Sequence, residues 1–91
     1  MTKVRAEVRV TGRVQGVWFR QSTKNMADQQ GVTGWCRNNP DGSVEAVFEG
    51  EETPVKTVVE WCRSGPELAR IDDLQIEWEK PTCEFDRFFI R

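Results

Sequence analysis

The feature that most constrains the fold is a change of hydrophobic period early in the chain, with two glycines at the junction. Apolar and polar residues alternate over residues 4–11, which predicts a strand with one buried face. Helical spacing follows over residues 19–30. Gly12 and Gly16 lie between these two segments and indicate a turn. The chain therefore begins with a strand, a tight turn and a helix.

The next segment predicts a β-hairpin. Gly31 is expected to end the first helix, because glycine is common just after a helix C-terminus. Apolar and polar residues then alternate over residues 32–38 and again over residues 44–49. The connection reads Asn39-Pro40-Asp41-Gly42, a strong turn signal, and Gly50 is expected to end the third strand.

A second helix is predicted after the hairpin. Thr53 is the expected N-cap, and Pro54 the expected first helical residue. Apolar side chains then recur with spacings of three and four residues, which gives the helix one apolar face. The helix is expected to stop before Gly65-Pro66.

The C-terminal third completes the predicted fold. Residues 73–79 alternate as a fourth strand, and Ile71 lies out of phase, so a bulge or a strand start is expected there. Residues 88–91 add a short fifth strand. The order βαββαβ predicts an α+β, ferredoxin-like fold, in which two helices cover one face of an antiparallel sheet. Ninety-one residues suffice for one core, so residues 1–91 are expected to form a single domain.

Charge and hydropathy exclude several functional classes. Thirteen basic and fifteen acidic residues give a net charge of −2, which provides no general basic field for nucleic acid. No apolar run approaches the ~20 residues that a membrane span requires. The chain also begins without the apolar segment of a secretory signal. We therefore expect a cytoplasmic protein that binds neither nucleic acid nor membranes.

An RNA-binding module of the same fold is one alternative. Such a module needs exposed aromatic residues on the central strands and basic surroundings, which this sequence does not predict. The tryptophans are instead expected to be core or half-buried packing residues. They are Trp18, Trp35, Trp61 and Trp78.

The chain has no histidine, which excludes Ser-His-Asp and Cys-His catalysis and any imidazole base. Its cysteines, Cys36, Cys62 and Cys83, form no CxxC pair, so a zinc site is not expected. We expect the three thiols to be reduced and buried as small apolar groups. No metal ion and no cofactor is predicted.

The turn before the first helix is a candidate anion site. Helix N-terminal N–H groups lack partners within the helix, and no Ser, Thr, Asp or Asn immediately precedes Phe19 to cap them. Arg20 adds a guanidinium in the first turn, where a cation opposes the helix dipole unless an anion binds nearby. The alternative is that Arg20 is an ordinary solvated residue and Gly16 an ordinary turn glycine.

Topology brings a neutral amide to the same place. In the predicted fold strands one and two are parallel with strand three between them, so their carboxyl ends lie at one sheet edge. Asn38 ends strand two, about 10 Å from the turn at the backbone. Arg20, Asn38 and a bound phosphate can span that gap together. Taken alone, Asn38 is an ordinary residue before a Pro-Asp-Gly turn.

Two segments resemble the signatures of the acylphosphatase family. Residues 12–20, GRVQGVWFR, match the pattern G-x-V-Q-G-V-x-F-R. Residues 34–45, GWCRNNPDGSVE, match G-W-V-x-N-x-x-D-G-x-V-E, with Cys36 in place of the usual valine. The resemblance extends over the whole chain.

The resemblance implies hydrolysis of acyl phosphates to a carboxylate and inorganic phosphate, with Arg20 and Asn38 as catalytic residues. Asn38 would orient the attacking water, and the family mechanism assigns that water's proton to the substrate phosphate. Inorganic phosphate is an expected inhibitor, and a monomer is expected. A non-catalytic domain that binds phosphate or carbamoyl phosphate is the alternative. The implied phosphate ligands are the backbone N–H groups of Gln15, Gly16, Val17, Trp18 and Phe19.

Overall fold

The computed structural model describes residues 2–91, and the predicted domain boundary at Met1 lies outside that range. The strands form one five-stranded sheet in the order β4-β1-β3-β2-β5. The predicted α+β, ferredoxin-like fold is confirmed. The elements are β1 (Lys3–Arg13), α1 (Phe19–Gln30), β2 (Thr33–Asn38), β3 (Val44–Glu51), α2 (Glu52–Cys62), β4 (Arg70–Glu79) and β5 (Phe88–Ile90).

The sheet is mixed in direction. β1 pairs antiparallel with β3 and β4, and β2 pairs antiparallel with β3, so β1 and β2 are parallel as predicted. β5 lies at the far edge from β4 and pairs parallel with β2. The predicted fifth strand is present, but its parallel pairing makes the sheet mixed, not wholly antiparallel. Because β1, β2 and β5 run in the same direction, their carboxyl ends lie at the same end of the sheet.

The core lies between the sheet and the two helices. Alternate residues of β1 are buried, as the period-2 pattern predicts, whereas β3 is buried continuously from Ala46 to Glu49. The apolar face of α2 is buried at the predicted spacing, and one face of α1 packs beside it. The buried residues of these elements include Ala6, Val8, Val10, Phe19, Ala27, Ala46, Phe48, Val55, Val58, Val59 and Cys62.

Two of the predicted element boundaries in the middle of the chain are wrong. β3 does not end at Gly50, because Gly50 pairs with Val4 of β1 and the strand continues to Glu51. The second helix begins at Glu52, so Thr53 is not its N-cap and Pro54 is not its first residue. Proline is tolerated throughout the first helical turn, where its missing N–H needs no intrahelical partner. Pairing across the sheet therefore extends β3 directly into α2.

Gly12 lies inside β1, although its sequence position suggested a turn. The register between β1 and β4 shifts between Thr11 and Gly12, and Gly12 lies opposite Ile71. This shift confirms the irregularity predicted at Ile71. A Cβ atom on Gly12 would lie 2.2 Å from the carbonyl oxygen of Arg70, at a φ of +126°. Only glycine fits this bulge.

The cysteines follow the prediction in part. Cys36 and Cys62 are buried free thiols. Burial raises the pKa of the Cys36 thiol to about 12, although the nearby positive charge of Arg20 opposes the shift. Burial likewise raises the pKa of Cys62. The prediction that Cys83 is buried is wrong, because this free thiol is exposed in the connection between β4 and β5, away from the core.

Candidate active site

The loop between β1 and α1 is held by two apolar anchors. Val14 and Val17 are buried in the core, whereas Gly16 and Trp18 are exposed. Gly16 has a positive φ, at 74°, and Trp18 is also left-handed, with φ 66° and ψ 20°. A bulky residue in this conformation costs ~1–3 kcal/mol, and such strain is concentrated at functional sites.

The first turn of α1 has no cap, as predicted. Trp18 is the N-cap residue and makes no side-chain capping hydrogen bond, and the turn contains no acidic residue. The first helical bond runs from the Ser22 N–H to the Trp18 carbonyl, at 3.0 Å. The N–H groups of Phe19, Arg20 and Gln21 therefore have no acceptor within the helix.

A cleft of about 360 Å³ opens at this edge of the sheet. Its lining combines the loop at Gly16 and Trp18, the first turn of α1 at Arg20, and the end of β2 at Asn38. The structure thus brings the loop, the guanidinium and the amide together. Ile90 of β5 also lines the cleft. Sequence reasoning missed Ile90, because its place depends on the parallel pairing of β5 with β2.

Asn38 presents an unused acceptor. It is the last residue of β2, opposite Val44 of β3. Its side-chain Oδ1 is buried and has no hydrogen-bond partner within residues 2–91. Leaving such a group unpaired costs ~1–3 kcal/mol, so the fold keeps an acceptor available at a cost in stability. A bound water or ligand donor can satisfy it.

Arg20 presents an unused charge. Its guanidinium makes no salt bridge to any carboxylate in the described part of the chain, whereas Arg5, Arg9 and Arg37 all have acidic partners. Its backbone is held against β2, because the Cys36 thiol lies 3.7 Å from the Arg20 carbonyl oxygen as a weak donor. A cation at an uncapped helix N-terminus is poised for an anion.

Gln15 does not line the cleft. Its side-chain Nε2 donates to the carbonyl oxygens of Asn39, at 2.8 Å, and Ser43, at 3.0 Å. Both acceptors belong to the turn that follows Asn38. The Gln15 side chain therefore ties the loop to the β2–β3 hairpin and fixes the spacing of the two halves of the cleft.

That turn is itself ordered by a carboxylate. Oδ1 of Asp41 accepts from the Ser43 hydroxyl, at 2.6 Å, and from the Ser43 N–H, at 3.0 Å. These bonds, with a contact from Arg9, hold the pKa of the Asp41 carboxyl below its usual value. The position of Asn38 thus rests on a well-ordered turn.

The structure places the predicted site residues in two groups. Gly16, Trp18, Phe19, Arg20 and Asn38 line the cleft. The other two predicted ligands have side chains directed elsewhere, Gln15 into the hairpin turn and Val17 into the core. Only backbone groups of those two residues can face an anion in the cleft.

The tryptophans were predicted to pack in or against the core, and for two of them this is wrong. Trp18 is 74% exposed and Trp78 is 47% exposed. Trp18 cannot reach the core because the loop turns its neighbour Val17 inward instead. Trp61 packs against the Phe19 ring, with centroids 5.7 Å apart, and Trp35 is partly buried, as expected.

Within residues 2–91, no cluster of three or more cysteine or acidic side chains is arranged to hold a metal ion. Neither helix in this range has the length and apolar character to cross a membrane.

The fold and the cleft define a ferredoxin-like α+β domain with a polar site at one sheet edge. A family model described as acylphosphatase matches residues 6–90. The acylphosphatase of Roseiflexus sp. (strain RS-1) is 53% identical over 90 residues, which cover 99% of this chain and 97% of that protein. The crystal structure of acylphosphatase from Bacillus subtilis matches with a TM-score of 0.93 at 32% identity, over 97% of this chain and 98% of that one. The chain belongs to the acylphosphatase family.

The same fold also matches part of a larger protein. Full-length HypF, in a phosphate- and nucleotide-bound form, matches with a TM-score of 0.89 at 27% identity. The match covers 99% of this chain and 12% of that one.

Proposed function

We propose that this chain is an acylphosphatase that hydrolyses the carboxyl-phosphate bond of small acyl phosphates, releasing a carboxylate and inorganic phosphate. Membership of the family supports the reaction. The observation that carries the assignment of roles is the pairing of two unused groups in one cleft. These are the unpaired guanidinium of Arg20 and the unpartnered Oδ1 of Asn38.

The phosphoryl group binds at the loop and the first turn of α1. Uncapped N–H groups, the positive end of the helix dipole and a free guanidinium all favour an anion there. Left-handed residues at Gly16 and Trp18 support this role, because alternating backbone conformations turn N–H groups towards one concave side. The proposed ligands are the Arg20 guanidinium and the backbone N–H groups of Gln15, Gly16, Val17, Trp18 and Phe19.

Asn38 positions the attacking water. Its Oδ1 accepts a hydrogen bond from that water, but a neutral amide cannot remove the proton. The proton passes to an oxygen of the substrate phosphate. The departing carboxylate is stable as an anion near neutral pH and needs no general acid. Catalysis then depends on position and charge complementarity, which is consistent with a chain that lacks histidine.

The alternative is a non-catalytic domain that binds phosphate or carbamoyl phosphate. Phosphate binding alone needs the backbone N–H groups of the loop and the Arg20 guanidinium. It does not need a buried, unsatisfied acceptor beside them. The Oδ1 of Asn38 therefore favours hydrolysis over simple binding. The match to relatives named acylphosphatase over almost their whole length favours the same conclusion.

The proposal includes a cytoplasmic monomer in which residues 1–91 act as one domain and inorganic phosphate inhibits as the product. The free thiols support a reducing compartment. The edge strand β4 carries exposed acidic residues, which discourage pairing with a second sheet. Those residues are Asp72, Asp73, Glu77 and Glu79.

The test is hydrolysis of benzoyl phosphate in the presence of increasing inorganic phosphate. We expect turnover by the wild-type chain and competitive inhibition by phosphate. Arg20→Ala should lower kcat/KM by at least about 10²-fold, whereas Arg13→Ala, an exposed arginine on β1, should retain it. Phosphate binding without turnover would support the binding domain instead. Unchanged turnover by Arg20→Ala would place the reaction elsewhere.

A further inference from the structure

Trp18 adopts a left-handed backbone conformation, which is unfavourable for a bulky residue. Left-handed conformation is inexpensive for glycine, as at Gly16 two residues earlier, and tolerable for asparagine. Trp18 adopts it with its side chain 74% exposed, the most exposed of the large apolar side chains in residues 2–91. Neither core packing nor backbone preference therefore explains an aromatic residue here.

The geometry of the proposed reaction indicates a role for the exposed Trp18 side chain. In an in-line displacement the attacking and departing oxygens lie on opposite sides of the phosphorus. In the proposed reaction the attacking water is held by Asn38 Oδ1, which is buried. The acyl group then leaves on the side of the phosphorus away from Asn38, and Trp18 is an exposed residue of the same cleft.

The lining of the cleft also includes apolar side chains. Trp18 contributes an indole and Ile90 a branched aliphatic side chain, and both line the same cleft as Arg20. These apolar side chains add nothing to phosphate binding. An aromatic ring next to an aromatic face gains favourable stacking in addition to the apolar surface it buries.

We infer that the indole of Trp18 binds the acyl group of the substrate and makes the enzyme prefer aromatic acyl phosphates to small aliphatic ones. This inference rests on the proposed function, because it assigns the leaving group of that reaction. It goes beyond the backbone role of Trp18, since the indole contacts the part of the substrate that phosphate itself lacks.

The test compares kcat/KM for benzoyl phosphate and acetyl phosphate in three variants. Trp18→Asn removes the ring but tolerates the left-handed backbone, and Trp18→Phe keeps an aromatic face. Trp78→Asn is the matched control, because Trp78 is exposed on β4 at the opposite edge of the sheet. We expect the benzoyl-to-acetyl ratio to fall by about 3- to 10-fold in Trp18→Asn. The ratio should stay close to that of the wild type in the other two variants.

Two results would overturn the inference while leaving the reaction intact. One is an unchanged ratio in Trp18→Asn. The other is an inhibition constant for inorganic phosphate that rises as much as kcat/KM for benzoyl phosphate falls, because Trp18 would then act only on the phosphate loop. Failure of the wild-type chain to hydrolyse either substrate would instead overturn the proposed function, and this inference with it.

Discussion

Arg20 is the residue whose chemistry is most specific, because a planar guanidinium can hold two phosphoryl oxygens at once. Lysine keeps the charge but offers a single ammonium, which cannot make the forked contact. We predict that Arg20→Lys is nearly as damaging as Arg20→Ala, with kcat/KM reduced by about 10²- to 10³-fold. Steady-state kinetics with benzoyl phosphate measure the effect.

Arg13→Lys provides the control for that substitution. Arg13 is exposed at the end of β1 and does not line the cleft. Its replacement should leave kcat/KM unchanged. An Arg20→Lys variant that kept most of the wild-type activity would show that charge alone suffices, and the forked contact would be abandoned.

At the scale of elements, Gln15 connects the loop to the hairpin. Gln15→Ala removes two hydrogen bonds, to the carbonyls of Asn39 and Ser43. We predict a loss of about 1–3 kcal/mol in the free energy of unfolding, measured by urea denaturation, together with a lower kcat/KM. Gln75→Ala, at an exposed position of β4, should change neither. Wild-type activity in Gln15→Ala would show that the hairpin does not position the loop.

The hairpin turn also predicts a pH dependence. Bonds from the Ser43 hydroxyl and N–H lower the pKa of Asp41 in the folded state, so its carboxylate contributes stability above its unfolded pKa of about 4. That contribution is lost as the pH falls through the folded pKa. Asp41→Asn should therefore destabilise the protein at neutral pH, and the difference from wild type should shrink in acid. Denaturation series at several pH values test this, and a pH-independent difference would contradict it.

Sequence periodicity was sufficient for the type and order of the elements, because buried faces repeat every two residues in strands and about every 3.6 in helices. The helix limits at Phe19 and Gly31 also follow from local signals. The predictions at Gly12 and Gly50 were wrong, because each glycine was expected to follow or end a strand but is paired within the sheet. Pairing partners lie far away in sequence, so local patterns do not contain them.

For the cleft, too, some residues could be predicted from the sequence, whereas others depend on contacts between distant segments. Arg20 and Asn38 could be brought together from the sequence, since parallel strands with one strand between them place their ends at one edge. Ile90 could not, because its place requires the pairing of β5 with β2. The exposure of Trp18 was also missed, because composition favours burial and the inward turn of Val17 is visible only in the folded loop.

For the whole molecule, the buried ring of Phe88 attaches β5 to the core. Phe88 is buried and stacks on Phe48 of β3, with centroids 5.6 Å apart. We predict that Phe88→Ala lowers the free energy of unfolding by about 3–5 kcal/mol, a large share of the ~5–15 kcal/mol typical of small domains. Urea denaturation measures it. Phe89→Ala, a neighbour that is only partly buried, should cost clearly less, and equal losses would contradict this account of β5.

The central claim concerns two separate roles in the cleft. The loop N–H groups and Arg20 bind the phosphoryl group, and the Asn38 amide positions the water. The most direct measurement is kcat for benzoyl phosphate and the inhibition constant for inorganic phosphate in Asn38→Ala, with Asn25→Ala on the exposed face of α1 as control. We predict that kcat falls by about 10²-fold or more while phosphate inhibition stays close to wild type, because the partner of Asn38 is water. A loss of phosphate affinity as large as the loss of kcat would contradict the claim.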